Sequence, residues 1–210
     1  MTFGKGVSDA TRLYLVDLTS EELQARLIEA LNVYVEAMGY PRGTEELRAW
    51  MWLDHARRPG WQAVGAVELD PAGADATPSP AQIAAGRLVG IGYGYRGAPD
   101  QWWQQQVAAG LRRSQVPEET VAALLNSYFE LTELHIRPGA QGRGLGEALA
   151  RRLLGRRPEA NVLLSTPEID AEDNRAWRLY RRLGFTDVIR GYRFPGDPRP
   201  FAVLGRSLPL

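Results

Sequence analysis

Leu131-Thr-Glu-Leu-His-Ile-Arg-Pro-Gly-Ala-Gln-Gly-Arg-Gly-Leu-Gly146 runs directly into Glu147-Ala-Leu-Ala-Arg-Arg-Leu-Leu154. The run has a strand-type apolar stretch, a proline stop and a glycine-rich turn, and an amphipathic helical segment follows. A strand feeding a helix through such a turn leaves several main-chain N–H groups unpaired and aimed at one point. Helix N-termini of this kind bind phosphate, because the free donors and the helix dipole act together. Gly142, Gly144 and Gly146 let the main chain approach a pyrophosphate with no Cβ in the way. The segment is therefore expected to bind a diphosphate-bearing cofactor.

Spacing narrows the cofactor. A P-loop needs a Gly-Lys-Ser/Thr ending, and the only lysine in the chain is Lys5. The dinucleotide fingerprint needs Gly-x-Gly-x-x-Gly, yet counted from Gly144 the third position is Leu149, and no acidic ribose ligand is evident. What remains is Gln141-Gly-Arg-Gly-Leu-Gly146, a Gln/Arg-x-x-Gly-x-Gly/Ala pattern. It resembles the coenzyme A pyrophosphate loop of the GNAT superfamily, the acyl-CoA-dependent N-acetyltransferases. In that family the loop follows a strand of the form Glu-Leu-x-x-Leu-aromatic-Val-x-Pro. Glu130-Leu-Thr-Glu-Leu-His-Ile-Arg-Pro138 matches it, with His135 in the aromatic slot and Ile136 in place of Val.

A second segment carries the same resemblance. Asp173-Asn-Arg-Ala-Trp-Arg-Leu-Tyr-Arg-Arg-Leu-Gly-Phe185 is similar to the family's later signature, Asn-x-x-Ala-x-x-Leu-Tyr-x-x-x-Gly-Phe. Ala176, Leu179, Tyr180 and Leu183 share one helical face, and Gly184 stands at the expected helix stop. Asp173 occupies the slot of the family's Asn, with Asn174 beside it. Either residue caps a helix well, but a direct contact from that position to the coenzyme is put in doubt.

The resemblance implies an α/β (α+β) GNAT fold. Its central sheet is mixed, mostly antiparallel and twisted, with six to seven strands flanked by helices and strands 4 and 5 splayed around coenzyme A. It implies an acetyl-CoA-dependent N-acetyltransferase acting on a primary amine of a small molecule, peptide or protein by direct attack in a ternary complex. The alternative is a coenzyme A-binding sensor or partner-binding module without turnover. Acetyl-CoA enters as cosubstrate. Backbone groups of Leu134, His135 and Ile136 would pair with the pantetheine, and Gln141, Gly142, Arg143, Gly144, Leu145, Gly146 and Glu147 would hold the pyrophosphate. Asp173, Asn174 and Tyr180 would complete the coenzyme site.

Tyr180 matches the family's general acid. A phenol of pKa ~10 stays protonated at neutral pH and can donate to a thiolate of parent pKa ~8.5. Its competing reading is a core tyrosine. Glu130 holds the strand position where several members carry a catalytic glutamate. Glu133 lies on the same strand, but by period-two alternation it faces the other way unless a bulge intervenes. One of the two is expected to deprotonate the amine, directly or through water. His135 is read as a packing residue rather than a base.

Composition agrees. At 210 residues and 44% hydrophobic, the chain suits one domain with a proper core. The expected organisation is a single acyltransferase domain over 1–210 with a helical insertion at about 97–127. Net charge is zero, which implies neither a nucleic-acid partner nor an anionic membrane. Absence of cysteine excludes a thiol nucleophile and thiolate metal sites, and His55 and His135 are too far apart in sequence to suggest a metal centre. The N-terminus lacks the apolar core of a signal peptide, so a cytoplasmic enzyme is expected.

The first strand is expected over Thr11–Leu18. A helix capped by Ser20 follows as far as Gly39, and a second helix runs from Gly43 to near Arg58-Pro-Gly60. Strands are expected at Trp61–Leu69 and Arg87–Tyr95, with Asp70–Ala85 between them as a flexible hairpin excursion. Pro99 and Pro117 with their following acidic residues mark two inserted helices. Their apolar residues, Trp102, Trp103, Val121, Leu124 and Leu125, are expected to pack over the acceptor mouth or against a second subunit, as in a homodimer. A strand at Asn161–Thr166, the Tyr180 helix, and strands near Asp187–Phe194 and Phe201–Leu208 complete the chain. Trp50, Met51 and Trp52 read equally as core or acceptor-pocket wall. Arg151, Arg152, Arg156 and Arg157 read as a solvated helix end, with a phosphate patch as the alternative.

Overall fold

The computed structural model describes residues 11–69, 77–169 and 172–210. The reading of the extreme N-terminus and that of residues 70–76 as a flexible excursion lie outside the described residues. The elements in order are β1 (Arg12–Leu18), α1 (Ser20–Ala25), α2 (Leu27–Met38), α3 (Thr44–His55), β2 (Gln62–Leu69), α4 (Pro80–Ala85) and β3 (Arg87–Arg96). Then come α5 (Trp102–Arg113), α6 (Glu118–Leu125), β4 (Tyr128–Ile136), a 3-10 turn (Pro138–Ala140), α7 (Leu145–Leu154), β5 (Asn161–Pro167), α8 (Arg175–Arg182), β6 (Thr186–Tyr192) and β7 (Phe201–Ser207).

Seven strands form one sheet in the order β1-β2-β3-β4-β5-β7-β6. Every neighbouring pair is antiparallel except β4 and β5, which run parallel. That pair is hydrogen-bonded only over Tyr128–Glu130 against Asn161–Leu163. Beyond Glu130 the two strands part, as the expected splay requires.

Local chemistry explains where the expectations shift. Thr19, not Ser20, caps α1, in a reciprocal capping box with Glu22. The long helix expected from Ser20 to Gly39 is interrupted at Arg26, which leaves helical angles (φ −109°, ψ 16°). Its guanidinium is anchored on the Gly86 carbonyl and on Glu29, tying the break to the start of β3. The second half of the Asp70–Ala85 excursion contains α4, closed by a Ser79–Gln82 capping box with Pro80 in its first turn.

Three apolar clusters fill the layers. Helices α1–α3 cover one face of the β1–β4 half through Leu23, Leu31 and Trp52 against Val67, Ile91 and Tyr93. Helices α7 and α8 cover the opposite face through Leu149, Leu153, Trp177 and Leu183 against Phe129, Val162 and Leu204. The inserted α5 and α6 pack on the β5-β7-β6 half, with Trp103, Val107, Leu111 and Val121 against Leu163, Ile189 and Val203. The expectation for the insert is corrected here. Its apolar side chains need neither the acceptor mouth nor a second subunit, because the sheet itself offers a bare apolar face that neither α7 nor α8 reaches. Of the insert's paired tryptophans, Trp103 is buried in this cluster and Trp102 is half exposed beside Phe194, as 100° of helical separation requires.

Candidate active site

The turn after β4 presents its main chain to solvent. Gly142 (φ +79°) and Gly144 (φ +77°) both adopt the left-handed conformation that side-chain-bearing residues resist. None of the N–H groups from Gly142 to Glu147 meets an acceptor within the described residues, and the first bond of α7 is Ala148 N–H to the Gly144 carbonyl at 3.1 Å. Six unpaired donors therefore gather at the N-terminus of α7. At Gly146 an added Cβ would stand 3.1 Å from Leu179, so this glycine serves the packing of α7 against α8. Gln141 braces the turn: its amide donates to the Ile136 carbonyl at 2.9 Å and accepts from Arg175.

Below these donors runs a groove of about 610 Å³. Leu134, His135 and Ile136 form its β4 wall. Gln141, Gly142, Gly144, Leu145, Gly146 and Glu147 form its head, and Asn174, Arg175, Arg178, Leu179, Tyr180 and Arg182 its α8 wall. The β4 edge along this groove is the one β5 has left, so its main-chain groups are open to a ligand lying as an extra strand. Residue chemistry thus fits an extended ligand with a phosphate end, which is what coenzyme A would require.

The side chains of two expected coenzyme residues are engaged outside the groove lining: Arg143 meets Glu68 at 3.5 Å and so offers the turn only its main-chain N–H, and Asp173 pairs with Arg178. The helix cap belongs to Asn174, whose Oδ1 accepts from Trp177 N–H at 2.9 Å. The cationic groups at the groove are Arg175, Arg178 and Arg182, which sequence reasoning passed over although they share one helical face with Leu179. Arg151 pairs with Glu147, Arg152 with Asp17, and Arg157 with Glu159, leaving those members of the α7 cluster engaged elsewhere.

Tyr180 is buried at the groove wall, its ring 5.7 Å from Phe185. Burial, reinforced by the negative charge of Glu133, raises its pKa well above the usual phenol value, so the hydroxyl keeps its proton throughout the physiological range.

The two glutamates face the same side. Tyr93 pairs with Glu133 and Gly94 with Leu131, so Thr132 is an extra, unpaired residue. This bulge restores Glu133 to the Glu130 side of the sheet. It depends on glycine at 94, where a Cβ would lie 2.1 Å from the Glu130 carbonyl oxygen. Glu133 Oε2 lies 2.5 Å from His135 Nε2, and the His135 ring meets Tyr34 edge-on at 5.0 Å. Glu130 lies deeper, at 5% exposure. Its Oε1 accepts from the Tyr95 hydroxyl at 3.1 Å, and its Oε2 has no partner. Burial pushes its pKa up to about 8, against the lowering effects of the Tyr95 hydrogen bond and the Arg58 charge. Trp52 is core, stacked edge-on to Tyr34 and Tyr93, while Trp50 is 70% exposed. Among the described residues there is no cluster of potential metal ligands and no helix long and apolar enough to cross a membrane.

The profile of the acetyltransferase (GNAT) family matches residues 86–185, from the start of β3 to the end of the second signature. The chain is 65% identical to a GCN5-like protein acetyltransferase of Mycobacterium tuberculosis over 204 residues, covering 94% of this chain and 99% of that one. The fold is similar to that of Arabidopsis thaliana NAA60 solved with acetyl-CoA (TM-score 0.56, 15% identity, covering 94% of this chain and 99% of that one). It is also similar to that of the ribosomal-protein-S18-alanine N-acetyltransferase of Escherichia coli (TM-score 0.56, 15% identity, covering 95% and 96%). The chain belongs to the GNAT family of acetyltransferases.

Proposed function

We propose that the protein transfers the acetyl group of acetyl-CoA to a primary amine on a protein acceptor, by direct attack with both substrates bound. The carrying observation is the gathering of the unpaired Gly142–Glu147 N–H groups at the head of a groove that passes the open β4 edge and reaches Tyr180. The protein acceptor is supported by the name of the mycobacterial relative, with 65% identity across nearly the whole of both chains.

In this reading the loop donors, with Arg175, Arg178 and Arg182, hold the phosphates, and Leu134–Ile136 orient the pantetheine arm. Holding amine and thioester together lowers much of the barrier without a covalent enzyme intermediate. The amine nitrogen bonds to the acetyl carbon, the carbon–sulfur bond breaks, and Tyr180 gives its proton to the departing thiolate. Glu130, buried and outside the groove lining, takes the proton of the amine through water that reaches its Oε2. A carboxyl poised near pH 8 suits that task, because a base works best when its pKa lies near the working pH. Burial keeps Tyr180 protonated, and the charge of Glu133, which is paired with His135, reinforces it.

Free thiol released from acetyl-CoA should appear with protein or lysine-peptide acceptors and not with small amines alone. Turnover confined to small-molecule amines would overturn the acceptor class, and coenzyme binding with no turnover on any amine would overturn the enzyme.

A further inference from the structure

The buried surroundings of Glu130 hold a second oxygen without a partner. Tyr128 and Glu130 stand two residues apart on one face of β4, and Tyr95 stands across from Glu130 in register on β3. Tyr128 is fully buried and its hydroxyl has no partner, the same condition as Glu130 Oε2. Proximity of the two is electrostatic as well: the Glu130 charge and burial raise the Tyr128 phenol. The chamber is closed by the insert. The Trp103 ring of α5 lies 5.9 Å from the Tyr128 ring and its indole N–H is fixed on Ser165 Oγ at 3.2 Å. On the other side a Cβ at Gly97 would fall 1.9 Å from Tyr128, so the phenol lies flat against the Gly97 backbone.

Resting on the reading of Glu130 as base, we propose that Tyr95 and Tyr128 are positioning residues that clamp its carboxylate. Tyr95 donates to Oε1, Tyr128 reaches Oε2 through one water, and α5 closes the chamber to bulk solvent. Buried polar oxygens are rarely left unpartnered, and a single water between these two on one strand face would satisfy both. The clamp reconciles two demands. Desolvation raises the affinity of Glu130 for a proton, while the two phenol donors favour its ionised form, leaving the group close to neutrality. Titratable and charged groups facing Glu130 are Tyr93 and Tyr95 from β3, Tyr128 and Glu133 from β4, and Arg58 beyond α3, whose guanidinium lies 4.6 Å over the Tyr95 ring. His55, 5.1 Å from Tyr95, is pushed down to about 4 by burial and stays neutral. Leu163 opposite Glu130 on β5 and Trp103 on α5 do not titrate.

Difference infrared spectroscopy of the full chain tests the clamp without any acceptor. The band of a protonated buried carboxyl, assigned by its loss in Glu130→Gln, should titrate near pH 8 in the unaltered protein. Tyr95→Phe and Tyr128→Phe should each move that midpoint upward by about one unit, a tenfold change in proton affinity. Trp103→Ala should move it downward by admitting water, and it keeps the test decisive if Tyr128→Phe fails to fold. A folded Tyr128→Phe with an unmoved midpoint would overturn the clamp, as would a Trp103→Ala midpoint that stays or rises; a merely structural role would shift the melting temperature alone. The reading of Glu130 as base stands or falls separately, on whether Glu130→Gln abolishes turnover.

Discussion

The two ends of β4 present opposite chemistries. At its C-terminal end the strand runs into a turn of main-chain donors that point outward, contributed by six consecutive residues and open to solvent. At its N-terminal end Glu130 is sealed among side chains from β3, β4, α3 and the inserted α5. In the proposed reading the first end binds through backbone, and it needs little from the rest of the molecule beyond a strand and a helix to hold the turn. The second works through desolvation, which exists only once distant segments have come together. Charge recognition can therefore be written locally, whereas tuning of a proton acceptor cannot.

The comparison can be broken most severely at the open end. Gly144→Val forces a β-branched residue into φ +77°, a conformation such residues resist, and it misdirects the donors. Acetyl-CoA affinity by calorimetry should fall by about 100-fold or more while the circular dichroism spectrum persists. Unchanged affinity would remove the loop from the coenzyme site.

Midway between the ends, Tyr180→Phe separates binding from chemistry. It should leave acetyl-CoA affinity close to that of the parent and lower kcat by roughly 100-fold, the scale of a lost general acid. A variant with parental kcat would return Tyr180 to the core, where its helical face already places much of its bulk.

The pH dependence of stability sharpens the contrast at the sealed end. The folded-state pKa of Glu130, about 8, lies above the ordinary value of 4.5, so the native state holds a proton that the unfolded chain releases. Stability from this group is complete below about pH 4.5 and is lost as pH rises to about 8, with a limiting slope of about 1.4 kcal/mol per pH unit. Denaturant melts between about pH 5 and pH 8 should show that decline, and Glu130→Gln should flatten it. Equal slopes in the two proteins would mean that the carboxyl is not desolvated as its burial indicates.

Features with a local cause were legible along the chain. The glycine turn follows from Gly142 and Gly144, the only residue type at ease at those angles, and the helix after it from its apolar spacing. The α8 face follows from Ala176, Leu179, Tyr180 and Leu183, and the inserted helices from their prolines and acidic first turns. Sequence alone thus determined the family, the glycine loop with its free donors, and the tyrosine proposed as acid. Tertiary structure decided the rest. The Thr132 bulge that turns Glu133 to the Glu130 side is set by the pairing of β4 with β3 and by the close approach at Gly94. The insert's place on the β5-β7-β6 face depends on which sheet surface α7 and α8 leave uncovered. The raised pKa of Glu130 depends on the burial those placements create. Periodicity and turn chemistry act over a few residues and can be read from them; register, coverage and desolvation are properties of segments far apart in the chain, and exist only when it is folded.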